Sequence, residues 1–253
     1  MAKLPKEYKF IDISDYGRPI ARWIANSLVS TNVRPVDVTT SFIVCGLFGI
    51  WAMLCGYFWI AGILLTFKSI LDAADGELAR IKNTPSYTGR YYDSVADIVL
   101  NFLIILALWQ MTNCHVAVAA AAFVGMQLQG TLYNYYYVIL RNKVNGDTTS
   151  RVFESEAPTA LPGESQQRVN MLFKMYNFLY KGFDKAIYSL DKNAVRAATF
   201  PRWFMTLVST MGLGSHLLLI SILLVIGKID LIIPTLAIYT FMIFIFVGIR
   251  QRF

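Results

Sequence analysis

The sequence predicts an all-α, polytopic membrane protein with six transmembrane helices, and three observations carry that expectation. Hydrophobic residues make up 56% of the chain and charged residues 15%, where a soluble domain carries about 25% charge. Several apolar segments reach the roughly 20 residues that a helix needs to cross a bilayer. Of the 23 Lys and Arg residues, all but Lys68 and Lys228 fall on one side of those segments. The mean hydropathy of +0.49 agrees.

In chain order, the start "MAKLPKEYKF" has neither an apolar core nor a small-residue cleavage site, so no removable signal peptide is expected. Residues 16–31 place Ile20, Trp23, Ile24 and Leu28 on one helical face, with Arg18, Arg22 and Asn26 elsewhere. That pattern predicts an N-terminal amphipathic helix lying in the membrane interface, with a short helix packed on the loops as the alternative. The six spans are expected at about 37–56, 57–80, 93–112, 116–140, 203–227 and 231–250. The connection over 141–200 opens with a stretch rich in polar residues, Pro and Gly, which reads as a loop. It continues with apolar residues from Val169 through Phe173, Tyr176 and Tyr180 to Ile187 and Leu190, predicting a cytoplasmic amphipathic helix on the membrane surface or against the bundle. The distribution of Lys and Arg places both termini and the Asp72–Asp97 segment on the cytoplasmic side. The net charge of +7 fits anionic lipid headgroups as partners, and no nucleic-acid motif is present. With no internal repeat, residues 1–253 read as a single integral membrane domain.

Cys45, Cys55 and Cys114 are odd in number and lack ligand-like spacing, so they read as packing residues. His115 and His216 stand alone and read as structural.

The stretch "DAADGELARIKNTPSYTGRYYDSVAD" puts four aspartates between two apolar runs, at a depth where a lone charge costs about 2.5–3.5 kcal/mol. At about 100° per helical residue, Asp72, Asp75, Gly76 and Ala79 share one face, while Glu77 points away as an ordinary solvated charge. On the following helix Gly89, Asp93 and Asp97 are spaced by four, and Asn101 extends the stripe one turn deeper. "NTPSYT" can turn the chain so that the two acidic faces oppose each other. Clustered oxygen ligands without His or Cys suit hard divalent ions, Mg²⁺ or Mn²⁺. Bare backbone at Gly76, Ala79 and Gly89 leaves room for a flat, bulky ligand, so the pattern describes a site for a nucleotide diphosphate. The competing account pairs the aspartates with Arg80, Arg90 and Lys68 as buried salt bridges alone.

The segment Asp72-x-x-Asp75-Gly76-x-x-Ala79-Arg80, eight residues, then Gly89-x-x-x-Asp93-x-x-x-Asp97 resembles the complete signature of the CDP-alcohol phosphotransferase family, class I. The resemblance implies an enzyme of phospholipid biosynthesis that breaks the pyrophosphate of a CDP-linked donor, passes a substituted phosphoryl group to an alcohol and releases CMP. It implies that Asp72, Asp75, Asp93 and Asp97 bind two divalent ions and that Asp97 is also the general base. It further implies that Gly76, Ala79 and Gly89 make room for the cytidine, that Arg80 steadies phosphate or the acidic cluster, and that the protein is a homodimer. "PVDVT" at Pro35–Thr39 loosely resembles the family's start of the first span, with Pro35 as a plain helix starter the simpler account.

For the donor, CDP-diacylglycerol with a small polar alcohol as acceptor is the preferred expectation. The reversed arrangement, CDP-choline or CDP-ethanolamine donating to diacylglycerol, is the alternative. "DSVAD" resembles phosphatidylserine synthases, but its continuation "IVLNF" departs from them and counts against a serine acceptor. Lys68, Asn101, Arg141 and Arg202 are candidates for acceptor or phosphate contact, with a Lys68–Asp72 ion pair as the first account of Lys68. Gln127, Gln129, Asn134 and the tyrosines Tyr133 to Tyr137 either line a polar pocket or anchor the helix at the interface. From another class, a divalent-cation transporter also explains intramembrane aspartates, although "FLIILALW" past Asn101 offers no polar path onward.

Overall fold

In the computed structural model, which describes residues 4–144, 154, 156–197 and 199–253, the described residues form helices and loops without strands. α1 spans Arg18–Leu28, α2 Pro35–Leu54, α3 Phe58–Ile81, α4 Tyr87–Met111 and α5 Val116–Lys143. After the connection come α6, Gln166–Leu190, and then α7, Arg202–Val208, α8, Leu213–Val225, α9, Ile232–Tyr239, and α10, Met242–Arg250. The predicted loop falls partly on 145–153, outside the described residues.

Local chemistry sets the helix starts. Pro35 occupies the first turn of α2, where its missing N–H is no loss, and Asp37 accepts from the Arg34 N–H at 2.8 Å. Ser86 caps α4 by accepting from Gly89 N at 2.8 Å. His115 does the same for α5, its Nδ1 accepting from Ala117 N at 3.2 Å. α7 and α8 are bent by 54° at Gly212, where the backbone is extended and any Cβ would collide with the Ser14 side chain. Ser14 Oγ in turn accepts from Gly214 N at 3.1 Å, and Ile13 N donates to Ser209 Oγ at 2.9 Å. The segment ahead of α1 is thereby threaded against the bend.

Among the described residues, four helical segments are long and apolar enough to cross a membrane: Pro35–Leu54, Tyr87–Met111, Val116–Lys143 and Ile229–Arg250. The bent pair adds a fifth if it counts as one span. The expected second span coincides with α3, which has the length, but Lys68, Asp72, Asp75, Glu77 and Arg80 remove it from that set. The six-span expectation is thus met by four or five segments on length and apolarity, because the helix carrying half of the motif is too charged to qualify.

α2 packs closely on both α3 and α4, which approach each other less closely than either approaches α2. The main core runs through α1 to α5, α8 and α9; a second core joins the later part of α5 to α7 and α10. α6 lays Val169, Leu172 and Phe173 against Tyr91 of α4, while Phe178 is 88% exposed. α1 buries Ala21 and Ala25 and turns Ile20 and Trp23 outward. Gly46 and Gly49 pack against Leu100 and Leu65, and Gly212 and Gly214 against Ser14. All three cysteines are free.

The last helix is held by a buried ion pair. Arg250 donates to both carboxylate oxygens of Asp191, which also accepts from Tyr136 Oη at 2.8 Å. Arg250→Met leaves a buried carboxylate uncompensated and should cost about 3–5 kcal/mol; the check is thermal unfolding of the detergent-solubilised variant against the parent.

Candidate active site

Asp72, Asp75 and Asp93 each offer a carboxylate oxygen, and these three atoms lie within 4.8 Å of one another. Asp75 is fixed from α2: Thr39 Oγ1 donates to Asp75 Oδ2 at 2.6 Å. Asp93 Oδ1 is buried without a hydrogen-bond partner, a costly state for a carboxylate unless a ligand completes it. Asp97 lies outside the tight group because Lys68 Nζ donates to its Oδ1. Lys68 Nζ also reaches Asp72 Oδ2 at 3.8 Å and sits 4.6 Å above the Phe42 ring. The expected Lys68–Asp72 pair is therefore the weaker of two contacts. Asp97 competes better because it faces Lys68 across the gap, whereas Asp72 is one turn along the same helix.

The other basic residues are engaged elsewhere. Arg80 donates to Glu77 at 2.7 Å and Arg90 pairs with Glu154. Of the three cations in the salt-bridge account, only Lys68 meets the aspartates, and that account fails for Arg80 and Arg90. Glu77 itself is a correction. It is no solvated charge but a partly buried node that also accepts from Arg18 at 2.9 Å and Arg22 at 3.3 Å. Pointing away from the aspartates places it under α1, which brings both arginines over it.

A cavity of about 1300 Å³ opens over the aspartates. Gly76, Ala79, Arg80 and Gly89 line it. A side chain at Gly76 would meet only the Arg80 head group, so bare backbone faces the cavity there. Asn101 and Arg141 line it as well. Arg202 does not belong to it; its Nε donates to the Glu7 carbonyl at 2.9 Å. The tyrosine run divides by helical face: Tyr133 and Tyr137 face the cavity, while Tyr135 and Tyr136 turn to Asp191. His216 is paired with Gln129 at 2.7 Å.

Several residues around the cavity gave no sequence signal. Asp12, accepting from Tyr133, and Asp15, paired with Arg18, close one side. Glu164 accepts from Ser86 Oγ and Thr88 N, both at 2.7 Å, and from Tyr87 N at 3.2 Å. It thus caps α4 from the α5–α6 connection. Burial opposes its ionisation, but these donors outweigh burial and hold the carboxyl below its usual range. Glu154 accepts from Tyr91 Oη at 2.5 Å, making a second tie between that connection and α4. On α6, Tyr180 Oη donates to the Ser94 carbonyl at 2.8 Å, and Asp184 lies one turn beyond on the same face. The four-residue spacing of Tyr176, Tyr180 and Asp184 is a sequence pattern, but nothing in sequence says which helix they meet or that Glu164 caps α4.

The CDP-alcohol phosphatidyltransferase family profile matches residues 33–161, just over half of the chain. The chain belongs to that family, and so to the transferases. It is also 36% identical over 88 residues to the bifunctional IPC transferase and DIPP synthase of Archaeoglobus fulgidus. That stretch covers 34% of this chain and 18% of the relative. The matched family region holds α2 to α5, and α6 to α10 lie beyond it.

Burial, together with repulsion from Glu154, pushes the Asp184 carboxyl from its ordinary 3.8 up to about 7. A raised carboxyl pKa means the folded state holds its proton longer, so the stability deficit builds between about pH 4 and pH 7 and then levels. Asp184→Asn should therefore raise the melting temperature by a few degrees at pH 8 and leave it unchanged at pH 4, as read by thermal unfolding across that range.

Proposed function

We propose that this chain is a metal-dependent CDP-alcohol phosphotransferase of membrane phospholipid synthesis, with CDP-diacylglycerol as donor and a small alcohol as acceptor. The single observation that carries it is the convergence of Asp72, Asp75 and Asp93 within 4.8 Å beside bare backbone at Gly76. A donor set of carboxylate oxygens alone, with one buried oxygen lacking a partner, fits Mg²⁺ or Mn²⁺. When bound, such ions supply stabilisation of negative charge on a pyrophosphate. The tight set of three suits one ion; a second draws on Asp97, whose carboxylate is shared with Lys68.

The remaining roles belong to side chains of this chain. Thr39 orients Asp75, and Gly76, Ala79 and Gly89 leave space for the cytidine, with Arg80 at its edge. Asp97 takes the proton of the acceptor hydroxyl as that oxygen bonds to the phosphorus carrying the diacylglycerol group. The bond from that phosphorus to the bridging oxygen breaks, and CMP leaves with the oxygen. Lys68, in contact with Asp97, holds this carboxylate toward the cavity.

α3 serves as a further span in this reading, giving six. Its aspartates and Arg80 face the site, Lys68 pairs with Asp97, and Glu77 pairs with arginines of α1, which is how intramembrane charges are tolerated. The one-sided Lys and Arg distribution supports a cytoplasmic side for the site, both termini and α6. α1 lies at the interface, with exposed Ile20 and Trp23 toward lipid. A homodimer completes the proposal and rests on the family alone.

CMP release from each CDP-linked donor tests the reading. Asp97→Asn should lower kcat by about 10²–10⁴-fold, and chelation should abolish turnover until Mg²⁺ or Mn²⁺ is restored. CMP release only with CDP-choline or CDP-ethanolamine would reverse the donor assignment. Metal flux in proteoliposomes without CMP release would replace the enzyme by a transporter.

A further inference from the structure

Below the aspartates, two carboxamides face the cavity with unmet hydrogen-bonding capacity. Asn101 and Gln127 are each 5% exposed. Asn101 Oδ1 and Gln127 Nε2 are buried without a partner, and both residues line the cavity, one from α4 and one from α5. Leaving such groups unsatisfied costs about 1–3 kcal/mol each, and protein interiors rarely tolerate it unless something else completes the bonds. Neighbouring polar groups are already satisfied: Gln129 donates to the Leu236 carbonyl and Thr240 Oγ1 and meets His216. Of the buried side-chain carboxamides lining the cavity, Asn101 and Gln127 thus carry open valences, in addition to the open Asp93 Oδ1 already given to the metal.

We propose that Asn101 and Gln127 form the acceptor's recognition subsite and bind a second hydroxyl, so that the acceptor is a neutral-ended polyhydroxy alcohol. The inference rests on the phosphotransferase reading and names the substrate class of the same site. One open acceptor and one open donor lining the same cavity match a hydroxyl, which gives one proton and takes another. An ammonium offers donors only, a carboxylate or phosphate acceptors only, and a quaternary ammonium neither. Asn101 stands one turn below Asp97 on the same stripe, about 6 Å along the helix. A small polyol can therefore present one hydroxyl to Asp97 and another, a carbon or two away, to the carboxamides. On α5, no charged side chain lines the cavity between Gln127 and Arg141. The α5 residues lining the cavity run from Met126 through Gln127, Thr131 and Asn134 to Tyr137 before Arg141 appears, about 21 Å along the helix from Gln127. Asp184 lines the same cavity from α6, one turn beyond the Tyr180 that donates to the Ser94 carbonyl, and the amine acceptors in the test below probe whether its carboxylate reads a cation.

The test uses the full chain in detergent with CDP-diacylglycerol and Mg²⁺ or Mn²⁺, and glycerol, inositol, ethanolamine and choline as probe acceptors. CMP release should depend on the polyols and not on the amines. Asn101→Leu and Gln127→Met should raise the KM for the polyol at least tenfold, with a smaller change in kcat and none in donor KM. Both variants replace an unsatisfied polar group by an apolar one of similar shape, so their melting temperatures without acceptor should equal or exceed the parent's. As a readout independent of turnover, the polyol should raise the parent's melting temperature and not that of either variant. Equal turnover with ethanolamine, or an unchanged polyol KM in both variants, overturns the subsite. Polyol-dependent thermal stabilisation without CMP release from any donor keeps the subsite and sinks the enzyme reading. Absence of both overturns the two together.

Discussion

Lys68 Nζ, buried among apolar side chains above the Phe42 ring, touches Asp97 and reaches Asp72 at 3.8 Å. Four carboxylates in so small a volume repel one another, and the repulsion grows as water is excluded. One ammonium group, delivered from α3 to the opposite helix, offsets part of that charge and sets which acid stands apart. Asp97 stands with Lys68, while Asp72, Asp75 and Asp93 bring their carboxylate oxygens within 4.8 Å of one another. α2 completes the arrangement by holding both helices and supplying Thr39 to Asp75.

Around that charge balance the chain builds in two layers. The first is the α2 to α5 region that carries the family match, and it contains every aspartate of the motif. The second is made of later elements and of the segment before α1, which seal the cavity without contributing motif residues. Glu164 and Glu154 tie the α5–α6 connection to the start of α4, and Tyr180 on α6 ties to Ser94, between Asp93 and Asp97. The helix bearing half of the motif is thereby fixed at its cap and along its middle by one connection and the helix that follows it.

Sequence periodicity resolved the helices well, because apolar runs and four-residue spacing act locally. Span two coincides with α3 to within a residue at each end, and the amphipathic stretch from Val169 lies within α6. The aspartates were legible for the same reason: their spacing alone puts them on single faces. What stayed hidden was pairing between distant elements. Nothing in the local pattern says that Lys68 prefers Asp97 to its own-helix neighbour Asp72, or that Glu77 gathers arginines from α1. The inward packing of Gly46 and Gly49 was equally invisible, since a small residue reads the same whether it faces a partner chain or a neighbouring helix. Arg202 misled because a basic residue near a helix end carries no record of which backbone carbonyl it will meet.

The threading of Ser14 into the notch at Gly212 has a bearing on how the protein is made. Ile13 and Ser209 are 196 positions apart, and Ser14 and Gly214 are 200 apart. Contacts of such long sequence separation form late, since the loop they close must be ordered first. A ribosome releases Ser14 long before its docking place exists, so α1 and the leading segment must wait at the membrane while the other helices insert. Closure of one wall of the cavity, with Asp12 and Asp15 in it, is then an end-of-synthesis event. A chain halted before α8 would carry every residue of the aspartate motif and still leave that wall without its docking place.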